Sequence, residues 1–343
     1  MNTLPADHIS YQELESFLSG LLDLQYIILF DSDTAAWMAA ISLVDESCDI
    51  LTSANAPIPL FNAIDRSNKR ACYYDLRLDG TVETRLLERT KSEKSRLFIA
   101  THNHGLHSDL ESIAAFCRSH DLLMIEDASQ LLYSDRNTSG EVVCYNLAPL
   151  FSSPGTKGAF LATDDPGTAQ RLKAYASGGL IPTKLWNYDL VNSRDNTSLT
   201  PLIASHALEG SKSFSSDLGH IKTLQEHYLR RLSSNRLITL PKKKDLTPYP
   251  LFPIFLIPAL FCPKEDIYQA LLDAGIPVSV GNKPIYKTTL FLDDKRSLFG
   301  AEELFKSQLL LPCHAEMDEK DVDYVIEVVE KVLKQYGYRG CSF

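Results

Sequence analysis

Apolar runs of strand length alternate with amphipathic stretches through the first two-thirds of the chain. Residues 7–24 carry helical spacing, and "YIILF" (26–30) is an apolar run of strand length. "DTAAWMAAISLV" (33–44) reads as a helix with Thr34 near its start. "CDILTS" (48–53), "KRACYYDL" (69–76) and "SRLFIATH" (95–102) read as strands. They are followed by the helix "DLESIAAFCRSH" (109–120) and the strand "LLMIEDAS" (122–129). "EVVCYNL" (141–147) and "GAFLATDD" (158–165) are two more short strands. Strands alternating with helices predict an α/β domain with a mostly parallel sheet. Such a sheet binds ligands at the C-terminal ends of its strands, and the polar residues there are Ser32, Asp33, Thr34, His102 and Asp127.

The texture changes after Gly219. "HIKTLQEHYLRRLSS" (220–234) is a long amphipathic helix, and a Lys/Pro-rich linker follows it. The strand "YPLFPIFLI" (249–257), the helix "KEDIYQALLDAG" (264–275), the strand "IPVSV" (276–280) and the helix "EKDVDYVIEVVEKVLKQ" (319–335) complete a smaller α+β unit. The expected division is a large α/β domain over 1–235, N-terminal helix included, and a small α+β domain over 236–343. No internal repeat interrupts this plan.

Composition narrows the function class. The net charge of −10 over 343 residues argues against nucleic-acid or acidic-membrane binding. "KKKD" (242–245) lies between prolines and reads as a solvated linker. No stretch reaches the roughly 18–20 apolar residues that span a bilayer, and the N-terminus lacks the basic head and apolar core of a secretory signal. Seven scattered cysteines form neither a disulfide framework nor a CxxC pair, so a reducing, cytoplasmic setting is expected.

Several segments together resemble the DegT/StrS family of pyridoxal-phosphate (PLP) aminotransferases, most of which act on nucleotide-linked keto sugars. "FDSDTAAWMAA" sits where that family has an SGTAA-type phosphate turn, and "ATHNHGLHSDLESIAAFCRSHDLLMIEDASQ" is similar to its strand, loop, helix and "EDAAQ" strand. "LWNYDLV…NTSLTPLIASHALEG", "DAGIPVSVGNKPIY" and "AEELFKSQLLLPCHAEMDEKDVDYVIEVVEKVL" extend the likeness over nearly the whole chain. The resemblance implies a type I PLP aminotransferase fold and a homodimer with active sites shared across the interface. It also implies a nucleotide-sugar ligand and a role in bacterial modified-sugar or polysaccharide biosynthesis.

Such a site needs a lysine for the aldimine, a carboxylate on the pyridine nitrogen, a phosphate cup and a stacking surface. By the resemblance Asp127 is the nitrogen partner and Gln130 lies near the ring. On sequence alone Asp127 reads rather as a strand-end cap or turn residue. The resemblance assigns Ser32 and Thr34, with Asn196 of the partner chain, to the phosphate. Asp33 stands where the family has glycine, which brings a second anion to a helix start that favours anions; alternatively Asp33 simply caps the helix. No aromatic occupies Ala54, Asn55, Ala56 or Pro57, where the stacking residue is expected, and Phe61 lies too far along.

The lysine has two registers. Laying "FSSPGTK" on the family's "FSFxxTK" makes Lys157 the Schiff-base lysine, 30 residues after Asp127, but deletes the family's Gly-rich loop. Laying "GEVVCYNLAP" on "GDIGCFSFYP" matches more positions with fewer gaps. It puts Leu150 or Phe151 in the lysine's place and Asn146 in that of the phosphate-contacting serine. Two functions stay open: a working sugar aminotransferase using Lys157, and a divergent homologue without ordinary transamination, binding PLP, PMP or neither. "THNHGLH" holds His102, His104 and His107, but no further ligands at metal-site spacing complete it, so no metal is expected. Cys144 reads as a small buried residue, Lys283 as a solvated loop lysine and Trp186 as core.

Overall fold

Two sheets organise the chain. The computed structural model describes residues 5–44, 47–131, 140–150, 156–184, 187–257, 260, 262–293 and 295–337. In chain order the large unit runs α1 (Pro5–Leu22), β1 (Tyr26–Phe30), α2 (Asp33–Ile41), β2 (Asp49–Ser53), α3 (Ile58–Arg66), β3 (Arg70–Tyr74) and α4 (Thr84–Thr90). It continues through β4 (Ser95–Thr101), α5 (Leu110–Ser119), β5 (Leu123–Asp127), β6 (Val142–Asn146), α6 (Leu147–Leu150), β7 (Ala159–Thr163) and α7 (Pro166–Ala176). A small hairpin, β8 (Leu180–Pro182) and β9 (Tyr188–Leu190), precedes α8 (Pro201–Ser211) and α9 (Phe214–Leu232). The second unit adds β10 (Ile238–Thr239), β11 (Leu251–Leu256), α10 (Lys264–Asp273), β12 (Ser279–Val280), α11 (Phe299–Ser307), β13 (Gln308–Pro312) and α12 (Glu319–Gly337).

The large sheet has the order β1-β7-β6-β5-β4-β2-β3, and β7 is antiparallel to both of its neighbours while the other pairs are parallel. This is the mostly parallel sheet expected from the alternation of strands and helices. Period-2 alternation sorts each strand between two apolar layers. On β6, Val142 and Cys144 join the layer under α2, α3 and α7, whereas Val143 and Tyr145 join the opposite layer with α1 and α8. Leu14, Leu18 and Leu22 recur at helical spacing on α1 and are all buried in that second layer. Each such leucine contributes about 1.5–3 kcal/mol on leaving water.

The small sheet, β10-β11-β13-β12, is antiparallel. The apolar stretch "PLFPIFLI" supplies β11, as expected. Its core takes Val322, Val325, Ile326 and Val329 from α12 and Ile221, Leu224, Tyr228 and Leu232 from α9.

Polar groups stitch the two sheets' units together. Thr247 N–H donates to the Gly105 carbonyl (2.8 Å), and His107 N–H donates to that of Asp245 (2.9 Å). Gly105 has φ +79°, and a Cβ there would lie 2.7 Å from the Thr247 carbonyl oxygen, so both conformation and space require glycine. No side chain of α11's own N-cap residue, Leu298, caps that helix. Instead Asp75, just after β3, accepts from Gly300 N–H (3.1 Å) and Ala301 N–H (2.9 Å).

Candidate active site

The C-terminal ends of β4, β5 and β6 meet the N-terminus of α2. Asp127 is the last residue of β5 and stands opposite Thr101 on β4 and Cys144 on β6. Paired residues share a face, so all three point to the α2 side, and Asn146 follows Cys144 there. Asp127 is fully buried. Its Oδ1 accepts from Ser129 N–H (3.1 Å) and Ser129 Oγ (2.6 Å), while Oδ2 is buried with no hydrogen-bond partner. Thr101 Oγ1 is likewise buried and unpartnered. Burial pushes the Asp127 carboxyl up to about 6, against the lowering effect of Ser129 and His102.

The α2 terminus is already furnished. Ser32, not Asp33, caps it: Ser32 Oγ accepts from Ala35 N–H (3.3 Å) and donates to Asp31 Oδ1 (2.9 Å). The expectation that Asp33 is merely the helix cap is thereby corrected. Asp33 is the first helical residue, and its Oδ2 accepts from Asn146 Nδ2 at 2.8 Å. Burial, and then the charge of Asp127, raise its carboxyl to about 6. Cys144, buried beneath both carboxylates, has its thiol pushed well up by burial and by their charge, which keeps it protonated and inert. Thr34 is half-buried beside this group.

Asn146 closes the strand end. Its Oδ1 accepts from Ala148 N–H (2.8 Å), and Leu147 N–H donates to the Gly158 carbonyl (2.9 Å). Asn146 pairs with Ala159, so Lys157 lies two residues before β7 begins, and its side chain is exposed. Gly158 beside it has φ +110°, with Phe30 O and Leu199 Cδ1 where a Cβ would go (2.6 and 2.7 Å). Phe151, the Leu150 side chain and Trp186 lie outside the described residues. Asn196 is exposed, and its Oδ1 accepts from Ser198 N–H (3.1 Å). Lys283 is exposed.

Gln130 holds the neighbouring turn: its Oε1 accepts from His104 N–H (3.1 Å) and its carbonyl from Gly105 N–H (3.0 Å). His104 adopts φ +53° and buries a ring whose two nitrogens have no partner. Burial lowers it to about 4, so it is neutral at pH 7. His107 is held down to about 3 by burial and by His102. His102 Nε2 meets Glu126 Oε1 at 3.2 Å, and its Nδ1 accepts from Ser108 N–H (3.4 Å). Glu126 alternates with Asp127 along β5 and so faces the other side of the sheet.

Where a stacking ring was sought, an amide stands. Asn55 is buried, donating through Nδ2 to the carbonyls of Asn282 (2.8 Å) and Ala301 (3.1 Å), and its Oδ1 has no partner. Asn282 Nδ2 returns a bond to the Asn55 carbonyl (2.9 Å) and reaches Asn103 Oδ1 (3.4 Å). Pro57 is the extended residue that precedes α3, and Phe61 is buried within the core against Tyr73 and Phe291. Sequence reasoning did not find Asn103, Asn282 or Tyr249. Tyr249 is buried, and its hydroxyl is raised to about 12 by burial and the charge of Asp127. Asn55 and Asn282 are 227 residues apart, so no local spacing links them.

Comparison with known proteins agrees with this architecture. The model of the DegT/DnrJ/EryC1/StrS aminotransferase family matches residues 9–330. A UDP-4-amino-4,6-dideoxy-N-acetyl-beta-L-altrosamine transaminase from Campylobacter jejuni is 24% identical over 341 residues, covering 94% of this chain and 91% of its own. A 3-oxo-glucose-6-phosphate:glutamate aminotransferase from Bacillus subtilis is 24% identical over 340 residues, covering 94% and 76%. Among solved structures, PseC of Helicobacter pylori, an aminotransferase involved in the biosynthesis of pseudoaminic acid, superposes with a TM-score of 0.88. It does so at 21% identity over 95% of this chain and 92% of its own. NtdA of Bacillus subtilis, solved with bound PMP, gives 0.86 at 23% identity, covering 97% and 78%.

Proposed function

Because the chain belongs to the DegT/DnrJ/EryC1/StrS aminotransferase family, we propose that it is a divergent homologue of the nucleotide-sugar aminotransferases that has given up lysine-aldimine transamination. One observation carries this reading. β6 ends at Asn146, whose amide is bonded to Asp33. That favours the register in which Asn146 replaces the family's phosphate-contacting serine. The lysine's place then falls at Leu150 or Phe151, neither of which can form an imine, and Lys157 belongs to the approach to β7. Asp127, with its unpartnered Oδ2, retains what a protonated ring nitrogen needs.

The protein on this reading serves modified-sugar or polysaccharide biosynthesis in a bacterial cytoplasm, by binding a nucleotide sugar or by pairing with an active relative. A homodimer is the natural assembly. Tyr188, Leu190 and Val191 of the hairpin region and Leu202 of α8 are exposed and apolar, the kind of surface that a second subunit covers.

Borohydride reduction in the presence of PLP, followed by peptide mass mapping, tests the register. The expected result is no pyridoxyl adduct on Lys157 above the level of other surface lysines, and no amino transfer to a keto-sugar nucleotide. A stoichiometric adduct on Lys157 would return the protein to the working aminotransferases.

A further inference from the structure

We propose that the strand-end site framed by Asp33 and Asp127 takes an unphosphorylated pyridinium ligand of the pyridoxamine class and turns away its phosphate ester. This rests on the reading of Asp127 as a ring-nitrogen partner and adds to it the identity of the opposite end.

The N-terminus of α2 is where an anion would sit, with free N–H groups and the positive end of the helix dipole facing it. This chain places a carboxylate, Asp33, in the first turn there. Asp33 occupies the first helical position, and its carboxylate takes one N–H of the Asn146 side-chain amide offered by β6. Ser32 Oγ is taken up by Ala35 and Asp31. A phosphate would therefore add about two negative charges to a site that already holds two carboxylates, with no lysine or arginine among the described residues to offset them.

The remaining open valences ask for the reverse. Asp127 Oδ2 and Thr101 Oγ1 are buried without partners on the same sheet face. An ionised carboxylate oxygen only accepts, so it fits an N–H, best a charged one. At the other end the Asp33 carboxylate accepts from a hydroxyl. A pyridinium carrying a hydroxymethyl arm in place of a phosphate meets both requirements with donors and reduces the local negative charge.

Pyridoxamine and pyridoxamine 5′-phosphate form a matched pair for the test, since they differ only in the phosphate. Neither carries an aldehyde, so their binding is independent of any lysine, and the result is separable from the question of Lys157. Calorimetric titration of the full chain at pH 7.5 is expected to show pyridoxamine binding roughly tenfold or more tightly than its phosphate. Asp33→Gly, which reopens the helix terminus, is expected to invert that order. Asp33→Asn, which keeps the shape and removes the charge, is expected to narrow the gap, and it stands in if the glycine variant does not fold. Equal or tighter binding of the phosphate by the unmodified protein overturns the proposal. So does failure of both compounds to bind at millimolar concentration.

Discussion

Asn146 donates its side-chain amide to Asp33 across 2.8 Å, tying the end of β6 to the first turn of α2. The contact holds a carboxylate on the Asp127 side of the sheet, and burial, then the charge of Asp127, raise the Asp33 pKa to about 6. The folded protein thus holds this proton more tightly than the unfolded chain, where the ordinary value is 3.8. Asp33 therefore favours folding most fully below pH 3.8, and that contribution is lost as the pH rises through about 6. Asp33→Asn is expected to raise stability by about 1–3 kcal/mol at pH 7.5 and by little at pH 4, as read from urea denaturation at the two pH values. A gain of the same size at both would contradict this account.

The buried pair His102–Glu126 anchors the turn behind the site. Glu126→Ala removes the acceptor for His102 Nε2 and leaves a cavity, with an expected loss of about 2–4 kcal/mol. Glu126→Gln keeps both acceptor and shape and is expected to lose less than half as much. Equilibrium unfolding of the two variants separates a hydrogen-bond role from simple space filling.

Gly158→Ala combines a positive φ with contacts of 2.6 Å to Phe30 O and 2.7 Å to Leu199 Cδ1. The expected cost is about 2–4 kcal/mol. Gly20→Ala is the control: it lies within α1, and nothing stands within 4 Å of the added Cβ. That variant should gain about 0.5–1 kcal/mol from helix propensity. Thermal melts of both variants check the contrast.

Asp75→Ala removes the only side-chain acceptor described at the start of α11, that for Gly300 N–H and Ala301 N–H. A loss of about 1–2 kcal/mol is expected, and Asp75→Asn, which keeps only one of the two acceptor oxygens, should recover no more than about half of it. Denaturant midpoints give the comparison.

The large sheet was legible because its strands are apolar runs of five to seven residues bounded by polar turns, with β1 and β4 as the clearest cases. The strand pattern marks only that Asp127 ends β5; its candidate role comes from the family resemblance and not from periodicity. The partners of the site residues were not legible. Asn146 is 113 residues from Asp33, and Asn55 is 227 from Asn282. Periodicity reports only which face of its own element a residue takes, whereas the fold decides what that face meets. Ser32 as the cap was within reach of sequence rules, since serine before a helix is a favoured N-cap; the acid beside it drew the attention instead.

The seam between the two sheets' units is made of directional bonds rather than apolar surface alone: Gly105 with Thr247, His107 with Asp245, Asp75 with α11, Asn282 with Asn55. Swinging one unit away from the other would strand all of these donors and acceptors at once. The protein therefore has no inexpensive hinge there. Its two units are expected to unfold in one cooperative transition, with the backbone amides of Thr247 and His107 exchanging with solvent at the slow rate of whole-molecule unfolding rather than that of a loop.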